Sequence, residues 1–471
     1  MIDFKNLSDY RENNRIEAKK ALGGFPQSVW ETYSAFANTL GGIILLGVEE
    51  YKDHTLHAVN LPDPDKLVKE LWQGLNDPAK ISTNILANKH VSIENIGGNR
   101  IIVITVPRAH RYDRPVYIGG NPLSGSYRRC GEGDYRCTRE EIEAMLRDAA
   151  EKTPDMRVIE NSGTDALDYE SVRRYRALMK TYRPDHAWQK LDDDGFLQKL
   201  GALSCEENVL HPTVAGLLMF GKAESIVKEF PDYSLIYREE TDGNGRTYCN
   251  WSGNILDFYL FVHEKIVQNT VVPLSAASSG KIDAAPVYRA LKEALANCVI
   301  NADYYGENSI EIVKGRDMIT FSNAGSFRID AKKARAGGVS DPRNGALIKM
   351  FNLIDVGAGI GSGLPHIFAV WERQGWLTPS ISEEFDPERI TLSLAIGKGR
   401  SVNTASGAET PAQRAAIIEY LTDRTSGSIS DFCRLLNVKA ARVNELLAQL
   451  IAADVVVAEN GGNSLTYRLK R

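Results

Sequence analysis

Between residues 285 and 400 three short motifs follow one another in order, and they restrict the fold more than any other feature of the chain. The first is a long helix, 285–303, whose second half reads LKEALANCVINADYY. Glu293 and Asn297 are four apart, so they share one helix face about one turn separated, and Asn301 continues the stripe. The second is ITFSNAGSF (319–327), a strand running into Asn323-Ala324-Gly325. The third is VGAGIGSGLPHIF (356–368), which sets Gly357, Gly359, Gly361 and Gly363 in front of a helix. Strands are expected near 309–313, 318–322 and 390–395, so the region reads as α/β.

The residue types suit a magnesium-triphosphate site. Mg²⁺ takes one or two protein oxygens and leaves the rest to water and phosphate, and an Asn297 carbonyl serves for this. A carboxylate one turn away, Glu293, can orient a water towards a γ-phosphate. The Asn323 side-chain oxygen could accept from an adenine amino group, and Gly325 would let the backbone approach the ring. The glycine run, with its free N–H groups and the helix start behind it, would face the phosphates.

In this order the pieces resemble the GHKL, or Bergerat-fold, ATPases. The similarity is to a divergent branch found in bacterial proteins that pair it with a Schlafen-type Alba-like domain. The resemblance implies a catalytic base at Glu293, a Mg²⁺ ligand at Asn297, adenine recognition by Asn323, and ATP or ADP as ligand. Two departures stand out. The branch commonly has Asn-Pro-Gly-Gly where this chain has Asn-Ala-Gly-Ser, and His-Arg-Asp-Tyr where it has Asn301-Ala302-Asp303-Tyr304. They bear on hydrolysis more than on binding, so ATPase turnover stays open.

Residues 1–152 also read as α/β, with a helix at 26–40, a strand in GGIILLGVEE (41–50), a helix at 64–75 and strands at 90–96 and 100–107. A helix at 138–151 begins with a capping box, Thr-Arg-Glu-Glu. The stretches ENNRIEAKK (12–20), SAFANTLGGIILLGVEE (34–50) and GSYRRCGEGDYRCTREEI (125–142) together resemble the Alba-like domain of Schlafen-related proteins. That resemblance implies nucleic-acid binding, with DNA favoured and RNA open. Basic residues, among them Arg111, Arg114, Arg128 and Arg129, alternate with tyrosines including Tyr127, a mixture suited to phosphates and bases. Lys19 joins them from the family pattern. Some Schlafen proteins are metal-dependent endoribonucleases with a Glu-x4-Glu pair and a third acid after the central strand. Glu12, Glu17 and Glu49 or Glu50 match that pattern, and a salt-bridged Glu17–Lys19 strand is the structural alternative.

Residues 153–281 are expected as a connecting α/β region, opening on a linker at 152–168, with LHPTVAGLLMFGK (210–222) as a core helix. A second linker is expected at 397–409. Residues 410–471 read helix, short helix, helix and hairpin, which resembles a winged helix-turn-helix. Lys439, Arg442 and Asn444 stand near the exposed start of its third helix, 439–452. Helical spacing places Leu435 in the core of this unit. The expected divisions are thus 1–152, 153–281, 282–398 and 410–471.

Composition narrows the classes. Apolar residues at 43% and charged residues at 25% describe a globular chain. The net charge of −5 requires any nucleic-acid surface to be local. No apolar run reaches the roughly 18 residues of a membrane span, and the start lacks a signal core, which points to the cytoplasm. The six cysteines form no C-x-x-C pair, so reduced thiols and no cysteine metal site are expected. Two functions compete: an ATP-binding, DNA-binding transcriptional regulator, and a Schlafen-like endoribonuclease regulated by ATP. Homo-oligomerisation is left open by both.

Overall fold

The structure is a computed structural model that describes residues 7, 10–241, 245–270, 285–306, 309–357, 361–385, 387–396, 409–424, 426–436, 438–452, 455–461 and 464–470. It divides into two compact units, residues 1–149 with 402–471, and residues 150–401. The expected linker at 397–409 lies almost wholly outside the described residues.

In the first unit the N-terminal module holds a four-stranded sheet in the order Ile16–Lys19, Gly42–Leu46, Asn99–Val106, Val91–Ile96. The first pair is parallel and the others antiparallel. Its apolar run is continuous because both faces are covered. Ile44 and Leu46 pack with the helices Val29–Asn38 and Pro64–Leu75, while Leu45 packs with Ile16, Val48 and Leu56 on the opposite side. Gly41, at φ +73°, turns the chain from helix to strand, and a Cβ there would lie 2.7 Å from the Val106 carbonyl oxygen. The capping box is present: Glu141 accepts from the Thr138 N–H at 2.6 Å and Thr138 Oγ1 from the Glu141 N–H at 3.3 Å.

The C-terminal module has its own core of Ile417, Leu421, Phe432, Val443, Leu446, Leu447, Leu450, Val456 and Tyr467. Helices Glu409–Asp423, Ile429–Leu436 and Ala440–Ala452 pack with a small antiparallel sheet of Gly427–Ser428, Ser464–Leu469 and Val456–Gly461. Leu435, expected in this core, is 43% exposed. Within this unit the module meets the N-terminal segment. Arg11 and the Asn13 amide both donate to the Thr422 carbonyl, and Arg424 lies over the Tyr10 ring.

The second unit is built on a six-stranded sheet in the order Gly245–Trp251, Leu235–Thr241, Ile310–Lys314, Met318–Ala324, Glu388–Ala395, Ser380–Phe385. Only the pair Leu235–Thr241 with Ile310–Lys314 is parallel. The boundary expected at 281/282 lies outside the described residues, and elements on both sides of it share this sheet. The sheet takes two strands from before it, and one continuous core runs from Tyr175, Phe196 and Phe220 to Leu295, Phe351 and Trp371. Residues 210–222 do end in a wholly buried helix, Val214–Phe220, but the stretch begins as the strand Val209–Pro212. The stretch 152–168 is packed structure rather than a linker. Its turn Pro154–Met156 carries the fully buried Asp155, whose carboxylate accepts from Thr153 and from the Ala346 and Leu347 N–H groups.

Candidate functional site

A single cavity in the second unit is lined by Glu293, Asn297, Asn301, Asn323, Gly357, Gly361 and Gly363, residues from all three sequence motifs. Helix Ala285–Asn301 brings the first three on one face, as their four-residue spacing requires. Asn301 donates through Nδ2 to the Asn297 carbonyl at 2.9 Å. The sheet supplies an apolar floor. Phe321 pairs with Leu392, Asn323 with Ile390, and Ile381 with Leu392, so alternation on three antiparallel strands puts these side chains on one face.

Asn323 is buried and donates through Nδ2 to the Ala324 carbonyl at 3.0 Å. A carbonyl accepts only from the amide nitrogen, so this bond orients the side chain and leaves Oδ1 as its remaining acceptor. The glycine loop closes tightly on the helix. An added Cβ on Gly363 would lie 2.6 Å from Glu293 Oε1 and 2.7 Å from Asn297 Nδ2. Gly357 and Gly361 hold φ values of +90° and +68°, the left-handed region that glycine enters without strain. Gly359 lies outside the described residues. Helix Gly363–Gln374 starts at this loop, and its N-cap residue Ser362 makes no side-chain cap bond; Gly363 and Leu364 of its first turn line the cavity.

Gly325 departs from expectation. It is not among the lining residues. At φ +95° its open side is taken by Arg343, whose Nη1 would lie 2.3 Å from an added Cβ. Arg343 and Arg328, both buried, line the cavity with Asp341, and the sequence reading named none of the three. Arg343 donates to the carbonyls of Asn301 at 2.7 Å and Ser326 at 3.0 Å. Arg328 donates to the Pro342 carbonyl at 3.0 Å. Only the basic residues in an otherwise turn-like stretch, SFRIDAKKARAGGVSDPRN, could have signalled this wall.

The arginine–tyrosine stripe of the N-terminal module is largely interior, which corrects its assignment to a nucleic-acid surface. Arg111, Arg114, Arg129 and Tyr127 are all buried. Arg129 holds the module together: it donates to the Asn13 carbonyl at 2.8 Å and pairs with Glu17 at 2.8 Å and Asp134 at 2.9 Å. Arg111 donates to the Asp148 carbonyl and stacks on Tyr112, and the Tyr127 hydroxyl donates to Glu31. Arg128 is half-buried and pairs with Glu141 at 3.0 Å. In the C-terminal module Lys439 is exposed, while half-buried Arg442 donates to Gln413.

The carboxylates of the nuclease alternative do gather. Burial, with the nearby Glu17 and Glu50 charges, pushes the Glu12 carboxyl up to about 7 against a pull from its hydrogen bond with the Ala18 N–H. Glu17 is occupied, however, by Lys19 at 2.7 Å and by Arg129, and Glu50 lies 3.0 Å from His54. Among the described residues no group of three His, Cys, Asp or Glu side chains is arranged to hold a metal ion. All six cysteines are free. No described helix is long and apolar enough to cross a membrane.

Residues 12–138 match the family described as Schlafen, AlbA_2, and residues 143–236 match a domain of unknown function (DUF8451). The chain is thus a mixed α/β, multidomain protein with a Schlafen AlbA_2 domain at its N-terminus. Solved structures similar to it include the following two. The DIP2311 protein from Corynebacterium diphtheriae has 15% identity over 97% of this chain and 94% of that one, with a TM-score of 0.40. The N-terminal domain of a RecG-related protein from Nitrosomonas europaea has 33% identity over 29% of this chain and 95% of that one, with a TM-score of 0.24. No curated protein matches the chain.

Proposed function

We propose that this protein binds nucleic acid under the control of an adenine nucleotide held in the cavity of its second unit. The observation that carries the reading is that one cavity is lined by residues from three motifs up to 70 positions apart, Glu293 to Gly363. The donor set fits a magnesium-bound nucleotide of the Bergerat type. A Cβ at 363 would press on the Glu293 and Asn297 side-chain ends, so glycine lets the backbone lie directly against them, and such a cradle suits phosphate oxygens. The first turn of helix Gly363–Gln374 supplies positive dipole there, and Arg343 supplies charge in the wall, where Arg328 is paired with Asp341 at 3.5 Å.

On this reading Asn323 selects the base. Its Oδ1 accepts from the 6-amino group of adenine and repels the 6-oxo group of guanine, while Phe321, Ile381, Ile390 and Leu392 receive the ring face. Asn297 would hold Mg²⁺, and Glu293 would orient a water. Bound Mg²⁺ would neutralise phosphate charge and draw the nucleotide towards Asn297. Nucleic acid engages the AlbA_2 domain and the C-terminal three-helix module, read as a winged helix whose third helix offers exposed Lys439. Transcriptional regulation is the role we assign to the pair. The endoribonuclease alternative has less support, because Glu17 is held by Lys19 and Arg129.

A ligand moves an equilibrium only by its difference in affinity between two states. The test is a mobility-shift titration of duplex DNA and structured RNA with and without ATP and Mg²⁺. A change of threefold or more in affinity, lost in Asn297→Ala, supports the reading. Equal affinity in both conditions removes the switch.

A further inference from the structure

We infer that Asp155 is a positioning residue for the cavity wall, so that the segment opening the second unit sets nucleotide affinity; the inference rests on the reading of the cavity as a nucleotide site. Asp155 lies far in sequence from every lining residue, on the short turn Pro154–Met156, and it is fully buried. Its Oδ2 accepts from the N–H groups of Ala346 at 2.8 Å and Leu347 at 2.9 Å, and its Oδ1 accepts from the Thr153 hydroxyl at 2.5 Å. Those two N–H groups belong to the first turn of helix Gly345–Leu353. A helix start leaves such donors without partners inside the helix, and a carboxylate there satisfies them and meets the positive end of the dipole.

The helix's own N-cap residue, Asn344, makes no side-chain cap bond. Its amide instead donates to the Ile300 carbonyl at 2.9 Å and the Ala302 carbonyl at 2.8 Å, at the end of helix Ala285–Asn301. Asp155 therefore takes over the capping and frees Asn344 to hold the helix that carries Glu293 and Asn297. The preceding residue, Arg343, lines the cavity and donates to the Asn301 carbonyl. Thr153 fixes the third member of the run: its Oγ1 accepts from the Gly345 N–H at 3.2 Å, and a Cβ on Gly345 would lie 3.0 Å from it. Two residues beyond Asp155, Arg157 donates to the Tyr305 hydroxyl at 3.1 Å, just past Asn301–Asp303. The stretch 153–157 thus grips both chain segments that flank the Asn301 end of the cavity.

A plain structural cap would lower stability and leave ligand affinity alone, and the experiment separates the two. ATP with Mg²⁺ is titrated calorimetrically into the full chain at a temperature where every variant is folded, and thermal unfolding is followed in parallel. The variants are Asp155→Ala, Asp155→Asn and Asp192→Ala. Asp192 caps helix Asp193–Leu200 through the Gly195 N–H at 3.0 Å and is not among the residues lining the cavity. Asp155→Ala is expected to raise the ATP Kd about tenfold, the loss of one to two hydrogen bonds' worth of positioning. Asp155→Asn keeps an acceptor oxygen and is expected to recover most of that, and Asp192→Ala to lower the unfolding temperature with Kd unchanged. An Asp155→Ala protein that unfolds earlier but binds ATP with the wild-type Kd overturns the inference. If Asp155→Ala does not fold, Thr153→Ala, which removes the bonds to Asp155 and to the Gly345 N–H, is expected to weaken ATP binding in its place, and a wild-type Kd there overturns the inference. Absence of ATP binding by the wild type overturns the nucleotide reading itself, and this inference with it.

Discussion

Replacing Gly363 with alanine is the sharpest perturbation of the cavity. The added Cβ would sit 2.6 Å from Glu293 Oε1 and 2.7 Å from Asn297 Nδ2, where ordinary contact begins at 3.4 Å. The ends of these two side chains must therefore yield by about 0.7–0.8 Å, which flexible side chains meet at the low end of overpacking costs, about 1 kcal/mol. For a unit of this size that is a fall of about 2–4 °C in unfolding temperature. Because the displaced groups are the proposed phosphate and magnesium contacts, ATP affinity is expected to fall at least tenfold, about 1.4 kcal/mol. Gly375→Ala is the matched control. It lies at the other end of the same helix, at φ +65°, and a Cβ there meets nothing within 4 Å. Left-handed strain should cost about 1–2 kcal/mol and leave the cavity untouched. Calorimetric titration with ATP and Mg²⁺ reads the difference. If both variants bind with the wild-type Kd, the argument that Gly363 shapes a nucleotide site fails.

Asn323→Leu should remove base selection, bringing the ATP and GTP Kd values within about threefold, whereas Asn323→Asp keeps the acceptor and should keep the preference; competition binding with both nucleotides checks this. Arg129→Ala should destabilise the first unit by roughly 3 kcal/mol, because it takes a buried cation from Glu17 and Asp134, leaving them only Lys19 and the Thr32 hydroxyl, and leaves the Asn13 carbonyl without its guanidinium donor; a loss under about 1 kcal/mol in urea unfolding would contradict this role. Glu12 has a folded-state pKa raised from 4.5 to about 7, so it favours the folded state below its unfolded pKa and loses that contribution as pH rises through 7. Glu12→Gln should therefore gain on the wild type between pH 5 and pH 8, by about 1–2 kcal/mol once solvent screening is allowed for, and a pH-independent difference in unfolding would refute the assignment. Lys439→Ala should weaken binding to duplex DNA more at low salt than at high salt and flatten the salt dependence; an unchanged titration would take that helix out of the interface.

How far the sequence could be read depended on the range of the interactions. Helix 285–301 and the glycine loop were legible because a four-residue spacing and a glycine run carry their geometry locally. The strand Ser380–Phe385 was missed because SISEEF places only Ile381 and Phe385 as apolar residues on its inner face. Burial of the arginines could not be read from their neighbours. Arg129 finds its partners at Asn13, Glu17 and Asp134, and Arg111 at Asp148, so a stripe that looks like a basic surface along the chain becomes interior wiring. The stretch 152–168 resembled a linker for the same reason. Its polar Asp155 serves amides almost 200 residues away, at Ala346 and Leu347. Arg328 and Arg343 carried no motif and became visible only once the loop was folded against Asn301 and Pro342.

The central claim is that the cavity between Glu293, Asn323 and Gly363 takes an adenine nucleotide. Calorimetric titration of the full chain with ATP, ADP and GTP in the presence of Mg²⁺ tests it most directly. The account predicts one site per chain for ATP or ADP, a preference over GTP of at least tenfold, and loss of binding in Asn297→Ala. No binding, or binding that survives Asn297→Ala and Asn323→Leu together, would contradict it.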